Sequence, residues 1–194
     1  MKTYITTDTH FNHMKLAEVY HDRPMDFQDQ ILKNHNFIEE DSVLIHLGDF
    51  CIGGDEEAHQ RWNEATSHIR TRILVRGNHD HKSNSWYYDH GWDAVVDSMT
   101  LNVYGATILF THIPARPDEV LGASFNIHGH THGNTHRDFE VSEYYDPGFH
   151  IEIAMEKSKM RPVLLSQKLV QTNQSIIKEV MLGLEPALKK LSDK

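Results

Sequence analysis

Cysteine is nearly absent from this chain of 194 residues: Cys51 is the only one, so no disulfide can form within the chain. This composition is typical of the reducing cytoplasm, where we expect the protein to reside. Long hydrophobic runs are also missing. The apolar stretches at 108–110 and 162–165 are far shorter than the roughly 20 residues of a membrane span, and the few residues before Asp8 leave no room for the apolar core of a signal peptide. We therefore expect no membrane association.

Basic residues are scarce: 19 Lys and Arg stand against 28 Asp and Glu, which gives a formal net charge of −9 with histidine neutral. Proteins that bind extended nucleic acid normally present a basic face to the phosphate backbone, so this balance disfavours such a partner. A small phosphorylated substrate is not excluded, because bound metal ions can reverse the sign of the charge locally.

Hydrophobic residues make up 39% of the chain, enough for the core of one domain over residues 1–194. Short runs rich in β-branched and aromatic residues are typical of strands, and each stops at a glycine or a polar residue. These runs are residues 3–7, 42–47, 72–76, 106–111 and 124–128. Helical patterns at 26–39 and 55–69 lie between the early runs, which predicts an α/β sheet with ligands at the carboxyl ends of its strands.

The later part of the chain predicts a mixed sheet rather than a purely parallel one. Residues 95–110 contain two strand-like runs separated by Tyr104-Gly105, a pattern typical of a hairpin. The alternating run 151–155 predicts a late strand, and 167–191 predicts a terminal helix. Residues 135–149 are aromatic and acidic without clear periodicity, so we interpret them as a long loop.

Two polar clusters follow the first two strands. Asp8 and His10 are spaced by two, so in an extended chain both side chains would leave the same face and could bind one ion. Asp49 follows Gly48 after the next strand, and its two carboxylate oxygens could bridge two ions. Taken alone, each cluster also fits an ordinary polar strand end or turn.

A third cluster, Gly77-Asn78-His79-Asp80, combines three kinds of polar side chain. Asn78 offers a neutral oxygen ligand, and His79 could be a ligand or a proton donor. Asp80 could hydrogen-bond the other ring nitrogen of His79 and fix its orientation. An asparagine turn with a chance histidine is the alternative interpretation in isolation.

Histidines follow the last two strand-like runs. His112 stands alone before Pro114, and by itself a structural histidine is the ordinary interpretation. The segment 128–132 carries three alternating imidazoles beside Gly129. His130 and His132 point the same way if the chain is extended, whereas a kink at Gly129 could send them to different ions.

The order of these motifs along the chain is far more specific than any one of them. D-x-H, G-D, G-N-H-[DE], a single histidine and G-H-x-H occur in turn between residues 8 and 132, each after a predicted strand. This pattern resembles that of the calcineurin-like metallophosphoesterase superfamily, and the segment from Asp8 to His13 is similar to its small, compact bacterial and phage members.

The resemblance implies a four-layer α/β/β/α sandwich with two mixed β-sheets and a dinuclear metal centre at one edge. It assigns one ion to Asp8, His10, Asp49 and His132, and the other to Asp49, Asn78, His112 and His130. It gives His79 the role of proton donor or oxyanion stabiliser, oriented by Asp80. It implies two divalent transition-metal ions, manganese first, with iron, zinc, nickel and cobalt as alternatives. Compact members of the superfamily often pair, so a homo-oligomer is an open alternative.

The function implied is hydrolysis of small phosphodiesters or phosphomonoesters, cyclic nucleotides included, by a hydroxide that bridges the two ions. Two alternatives stay open. One is a metal-dependent nuclease acting on short oligonucleotides, which the acidic composition disfavours. The other is a binding scaffold that keeps the fold without catalysis; such relatives tend to lose ligands or the equivalent of His79, and here all are present.

Overall fold

Two β-sheets form the framework of the computed structural model, which describes residues 1–19, 22–103, 105–120, 122–134 and 139–172. The strands are β1 (Lys2–Thr6), β2 (Ser42–His46), β3 (Thr71–Val75), β4 (Ala94–Val96), β5 (Met99–Val103), β6 (Ala106–Phe110), β7 (Phe125–His128), β8 (His150–Glu152) and β9 (Val163–Leu164). The first sheet has the strand order β4-β3-β2-β1-β9, and the second has the order β5-β6-β7-β8.

Both sheets are mixed, as the sequence predicts. In the first sheet β1 to β4 run parallel and only β9 is antiparallel, against β1. In the second sheet β6, β7 and β8 are parallel and β5 pairs antiparallel with β6. The predicted hairpin is therefore formed by β5 and β6, while β4, at the start of the predicted segment, belongs to the other sheet.

The helices among the described residues include α1 (Lys15–Glu18), α2 (Phe27–His35), α3 (Asp55–Thr66), α4 (Asn84–Asp89), α5 (Phe139–Tyr144) and α6 (Met155–Ser158). The two predicted early helices are confirmed as α2 and α3. Three acidic residues open α3, where they complement the positive end of the helix dipole. In the part of the chain that the structure describes, no helix is both long and apolar enough to cross a membrane.

Strand alternation places one apolar layer between the sheets and another under the helices. Ile5, Ile45 and Val75 of the first sheet pack with Phe110 and Ile127 of the second in one buried cluster. The neighbouring positions on the same strands face the opposite way. There Leu44, Leu74 and Val95 pack with Ile31 of α2 and with Trp62 of α3 in a second cluster.

The outer face of the second sheet is polar and is covered by aromatic rings. Asn126 and His150 lie opposite each other on β7 and β8, and the Tyr145 ring stacks on His150 at 4.8 Å. Helix α5, just before Tyr145, supplies the layer that completes the four-layer order. The sequence predicted a loop here, because the apolar and acidic residues of this segment show no clear periodicity; among the described side chains of α5 only Val141 is buried.

The C-terminal prediction is confirmed only as far as the described residues reach. Residues 165–172 are helical, and Leu169 packs against the cluster between the sheets. The remainder of the predicted terminal helix, 173–191, lies outside the described residues, as does Tyr104 of the predicted hairpin turn.

Candidate metal centre

The predicted ligands lie in loops at the carboxyl ends of five strands. Asp8, Asp49 and Asn78 follow the parallel neighbours β1, β2 and β3, so they leave the first sheet at the same edge. His112 follows β6, and His130 and His132 follow β7, in the second sheet. The edges of the two sheets meet here, and the structure brings all seven predicted ligand residues together.

Asp8, His10 and His132 form the first group of ligand atoms. The Nε2 atoms of His10 and His132 are 3.2 Å apart. Asp8 Oδ1 lies 3.8 Å from His10 Nε2 and 3.7 Å from His132 Nε2. Three ligand atoms thus surround one point, although His132 is separated from the other two residues by more than a hundred positions in sequence.

Asp49, His112 and His130 form the second group. His112 Nε2 lies 3.4 Å from Asp49 Oδ2 and 3.2 Å from His130 Nδ1. Asn78 Oδ1 lies 3.0 Å from the same His112 nitrogen, which adds the neutral oxygen that the sequence predicted for this position.

Asp49 lies between the two groups. Its Oδ2 is 3.6 Å from His10 Nε2 in the first group and 3.4 Å from His112 Nε2 in the second. Its Oδ1 accepts a hydrogen bond from the backbone N–H of His79 at 2.9 Å. One oxygen of this carboxylate is therefore placed to reach two cations, while the other is fixed to the protein.

The backbone that delivers these ligands is left-handed, so the condition of an extended chain, under which Asp8 and His10 would leave the same face, is not met. Positive φ angles occur at Asp8 (46°), His10 (46°), Asp49 (55°), His130 (69°) and His132 (51°). His130 and His132 enter different groups, an outcome that their spacing left open and that the family resemblance implied. Left-handed non-glycine residues cost of order 1–3 kcal/mol each, and they concentrate where function requires a special direction of the side chain.

Hydrogen bonds between neighbouring loops offset this strain. The N–H of Asp8 donates to Gly48 O at 2.9 Å, and the N–H of His10 donates to Asp49 O at 3.1 Å. Asp8 Oδ2 accepts from the Thr7 hydroxyl at 2.6 Å and from the N–H of His130 at 3.0 Å. The last bond joins the two sheets directly beneath the first ligand group.

Two glycines allow the loops to approach this closely. A Cβ added at Gly77 would lie 2.9 Å from Asp49 Cγ and closer still to its Oδ1. A Cβ added at Gly129 would lie 2.5 Å from Asp8 Oδ2 and closer still to the Thr7 hydroxyl. No side chain fits at either position without moving a ligand.

Asp80 makes contacts different from those the sequence predicted. Its Oδ2 accepts from the N–H groups of Asp49 and Gly77, both at 2.8 Å, and its Oδ1 accepts from the N–H of Phe50 at 3.1 Å. The expected bond to the His79 ring is replaced by this set, since the carboxylate points back into the loops rather than toward the ring. Asp80 thus holds the backbone of Asp49.

His79 lies at the mouth of the site. Its side chain is 45% exposed, and its Nε2 is 3.8 Å from Asp49 Oδ2. Its ring is 5.7 Å from that of His10. A partly exposed imidazole beside the bridging carboxylate can meet a molecule that enters from solvent, which suits a proton donor better than a buried ligand.

Sequence reasoning missed two residues behind the ligands: Arg23, which is buried, and Glu156, whose side chain is 14% exposed. Glu156 Oε1 accepts from His132 Nδ1 at 2.9 Å and from Arg23 Nε at 2.7 Å. Arg23 follows α1 outside every recognised motif, and Glu156 lies on a helix of four residues, so neither position carried a pattern. Both act on the ligands through tertiary contacts that the linear sequence does not reveal.

The electrostatics of the site favour positive charge. Burial opposes protonation of His112, but its bond to Asp49 and the charges of Asp8 and Asp49 outweigh burial and raise the pKa of His112 to about 9. Burial likewise opposes ionisation of Asp49, yet the hydrogen bond and charge of His112 hold the pKa of this carboxyl well below its usual range. The site therefore favours a positive charge on His112 in the absence of a stronger cation.

The residues present fit divalent metal ions. Asp8 Oδ1 is buried and has no hydrogen-bond partner among the described residues, so its charge is directed into the first group without compensation. His112 Nδ1 donates to Leu47 O at 2.7 Å, which leaves Nε2 as the ligand atom. Imidazole nitrogen with carboxylate and amide oxygen is the donor set that zinc, manganese and iron accept in proteins.

The family model described as the calcineurin-like phosphoesterase superfamily domain matches residues 1–159, which include all seven predicted ligands. No curated protein matches the chain.

Solved structures with similar folds include a protein of unknown function, AQ665 from Aquifex aeolicus, with a TM-score of 0.68 and 24% identity over 86% of this chain and 96% of that one. A novel archaeal phosphodiesterase gives a TM-score of 0.41 and 18% identity over 68% of this chain and 74% of its own. Yfce, a phosphoesterase from E. coli, gives a TM-score of 0.40 and 16% identity over 68% of this chain and 70% of its own. The first likeness shows the fold; the other two are too distant to support an argument.

Proposed function

The chain belongs to the calcineurin-like phosphoesterase superfamily, and on that basis we propose that it is a two-metal phosphoesterase that hydrolyses small phosphodiesters or phosphomonoesters, cyclic nucleotides included. The observation that carries this proposal is the position of Asp49 Oδ2, within 3.6 Å of His10 Nε2 and 3.4 Å of His112 Nε2. A carboxylate oxygen between two ligand groups is an arrangement that suits a pair of neighbouring ions.

In this proposal Asp8, His10, Asp49 and His132 hold one ion, and Asp49, Asn78, His112 and His130 hold the other. When bound, the two ions would supply positive charge to the phosphoryl oxygens and lower the pKa of the attacking water. Four positive charges against the carboxylates of Asp8 and Asp49 leave a net attraction for phosphate, although the protein as a whole is acidic.

The remaining steps fall to the protein's own side chains. Asp49 lies between the two ligand groups, and Asp80 fixes the loop that carries Asp49 by accepting from the N–H groups of Asp49, Phe50 and Gly77. His79, half exposed at the mouth, is placed to stabilise charge on the phosphoryl oxygens and to donate a proton to the leaving oxygen. Manganese is the first candidate for both positions, with iron, zinc, nickel and cobalt as alternatives.

The test is hydrolysis of p-nitrophenyl phosphate and bis(p-nitrophenyl) phosphate by metal-free protein supplied with each of the five metals. We expect turnover of at least one ester, with activity that saturates near two ions per chain and disappears on chelation. Protein that binds two ions but hydrolyses neither ester would support the scaffold alternative. Cleavage restricted to short oligonucleotides would support the nuclease.

A further inference from the structure

The His132 side chain is held from behind by a carboxylate. Glu156, on α6, accepts a hydrogen bond from His132 Nδ1 at its Oε1, at 2.9 Å. Because Nδ1 is the donor, the ring presents Nε2 toward the first ligand group, where Asp8 Oδ1 lies 3.7 Å away and His10 Nε2 lies 3.2 Å away. A carboxylate behind a ligand imidazole both orients the ring and makes its other nitrogen a better donor to a cation.

The same oxygen of Glu156 is held by a buried arginine. Arg23 donates from Nε to Glu156 Oε1 at 2.7 Å, and its side chain is fully buried, while that of Glu156 is 14% exposed. A carboxylate that is largely removed from solvent needs a positive partner to remain charged. Arg23 supplies that partner without entering the ligand group.

The other donors of Arg23 reach the opposite loop. Nη2 donates to Asp8 O at 2.7 Å, and Nη1 donates to Thr9 O at 3.0 Å. These carbonyls belong to the left-handed segment that delivers Asp8 and His10. Arg23 and Glu156 therefore connect the loop after β1 with the loop after β7, the two loops that form the first ligand group.

A buried ion pair with only a structural role would not need these particular partners. Three donors of Arg23 are directed to Glu156 and to two carbonyls of the ligand loop, and the bond of Glu156 to His132 is made by the same oxygen that binds Arg23. The second ligand group is built differently, since the ring of His112 is held through Nδ1 by the neutral carbonyl of Leu47 rather than by a charged residue.

We propose that Glu156 and Arg23 are positioning residues that set the metal affinity of the first ligand group and leave the second group unaffected. Glu156 fixes the His132 ring and increases the donor strength of Nε2, and Arg23 holds both Glu156 and the Asp8 loop. This inference rests on the proposed metal centre but not on the phosphoesterase reaction, so metal binding tests it independently of turnover.

The experiment is titration of metal-free protein with Mn²⁺ by calorimetry, with bound ions counted by elemental analysis. Wild type should bind two ions per chain. Glu156→Ala should weaken one site by about 10–100-fold and leave the other within about threefold. Glu156→Gln, which keeps an acceptor oxygen but lacks the charge, should give a smaller loss at the same site. Arg23→Lys should also weaken that site, because one ammonium group cannot reproduce the planar fork.

Asp41→Asn is the matched control, because Asp41 forms an exposed ion pair with Arg70 at the opposite end of β2 and should leave both affinities unchanged. Circular dichroism of the metal-free variants checks folding, and Glu156→Gln decides the result if Glu156→Ala is unfolded. Equal loss at both sites, or unchanged affinities in the Glu156 variants, would overturn the proposal. A wild type that binds no Mn²⁺ would instead refute the metal centre of the proposed function.

Discussion

Asp49 is the residue that contacts both ligand groups of the candidate site. Its Oδ2 reaches a nitrogen of each ligand group, its Oδ1 is fixed by the N–H of His79, and its own N–H is held by Asp80. Loss of the negative charge at Asp49 should therefore weaken metal binding at both groups, whereas a substitution at Asp8 or Asn78 should weaken binding at only one of them.

Asp49→Asn is expected to weaken the binding of both ions, because an amide oxygen keeps the shape of the carboxylate but removes the negative charge that two cations share. The measurement is the number of Mn²⁺ ions retained after gel filtration, compared with wild type and with Asp41→Asn. Full occupancy at two ions in the Asp49→Asn variant would contradict the bridging role.

His79→Asn is expected to leave metal binding intact and to reduce turnover by roughly 10²–10⁴-fold for an ester with a poor leaving group. The reason is that the His79 ring lies at the exposed mouth with its Nε2 3.8 Å from Asp49 Oδ2, while the hydrogen bond from His79 to Asp49 Oδ1 is made by the backbone N–H, which the substitution keeps. The measurement is kcat for an alkyl ester and for a p-nitrophenyl ester. The loss should shrink for the p-nitrophenyl ester, whose leaving group needs no proton; an equal loss for both would argue against proton donation.

At the scale of elements, the loops matter more than the strands from which they emerge. The strands supply position and direction, but the ligands reach their places through left-handed residues and close contacts between loops. Gly129 shows this most clearly, because it packs against Thr7 and Asp8 across the junction of the two sheets.

Gly129→Ala is expected to weaken metal binding and to lower the thermal midpoint by several degrees, since the added methyl group would overlap the Thr7 hydroxyl and Asp8 Oδ2. Gly148→Ala is the matched control: a methyl group there meets only the flexible Asp146 side chain, at 3.1 Å. Calorimetric titration and thermal unfolding of both variants give the comparison. Equal metal affinities and equal thermal midpoints in Gly129→Ala and Gly148→Ala would show that the loops can accommodate the added methyl group without loss of stability.

On the scale of the whole molecule, two apolar layers hold the sheets and helices in the order that brings the loops together. The layer under α2 and α3 is unusual in content, because it includes His35 and His59 beside Trp62, Trp92 and Phe50. Both histidines donate from Nδ1 to a carbonyl of their own helix, and burial lowers the pKa of each to about 4.

The free energy of unfolding is therefore expected to fall as the pH decreases from about 6.5 to about 4. In this interval the unfolded chain binds a proton at each histidine, with a pKa near 6.5, while the folded protein does not, so acid favours unfolding. His35 alone contributes roughly 1.4 kcal/mol per pH unit, or about 3 kcal/mol over the interval.

Urea unfolding of metal-free protein at several pH values measures this dependence. His35→Gln should reduce the slope between about pH 6.5 and 4, whatever its effect on stability at neutral pH, and the double variant with His59→Gln should reduce it further. A slope equal to that of wild type in the double variant would show that these two histidines titrate normally inside the fold.

Much of the architecture could be predicted from the sequence, because strands and helices that bury one face leave a periodic pattern of apolar residues within a short stretch of the chain. The five strand-like runs, α2, α3, the hairpin and the mixed character of the sheets are confirmed. The short helix α5 was predicted as a loop, and α4 and the two-residue strand β9 were not predicted. These short elements have too few buried residues to show a period.

The sequence by itself determined which side chains form the candidate centre, since aspartate, asparagine and histidine must stand at strand ends to reach one edge of the sheets. The tertiary structure alone decided which nitrogen of the His112 and His132 rings faces the ligand groups, that Asp80 holds Asp49 rather than His79, and that Arg23 and Glu156 lie behind His132. The physical reason is that these outcomes depend on backbone handedness and on hydrogen bonds between residues distant in sequence, which no local pattern encodes.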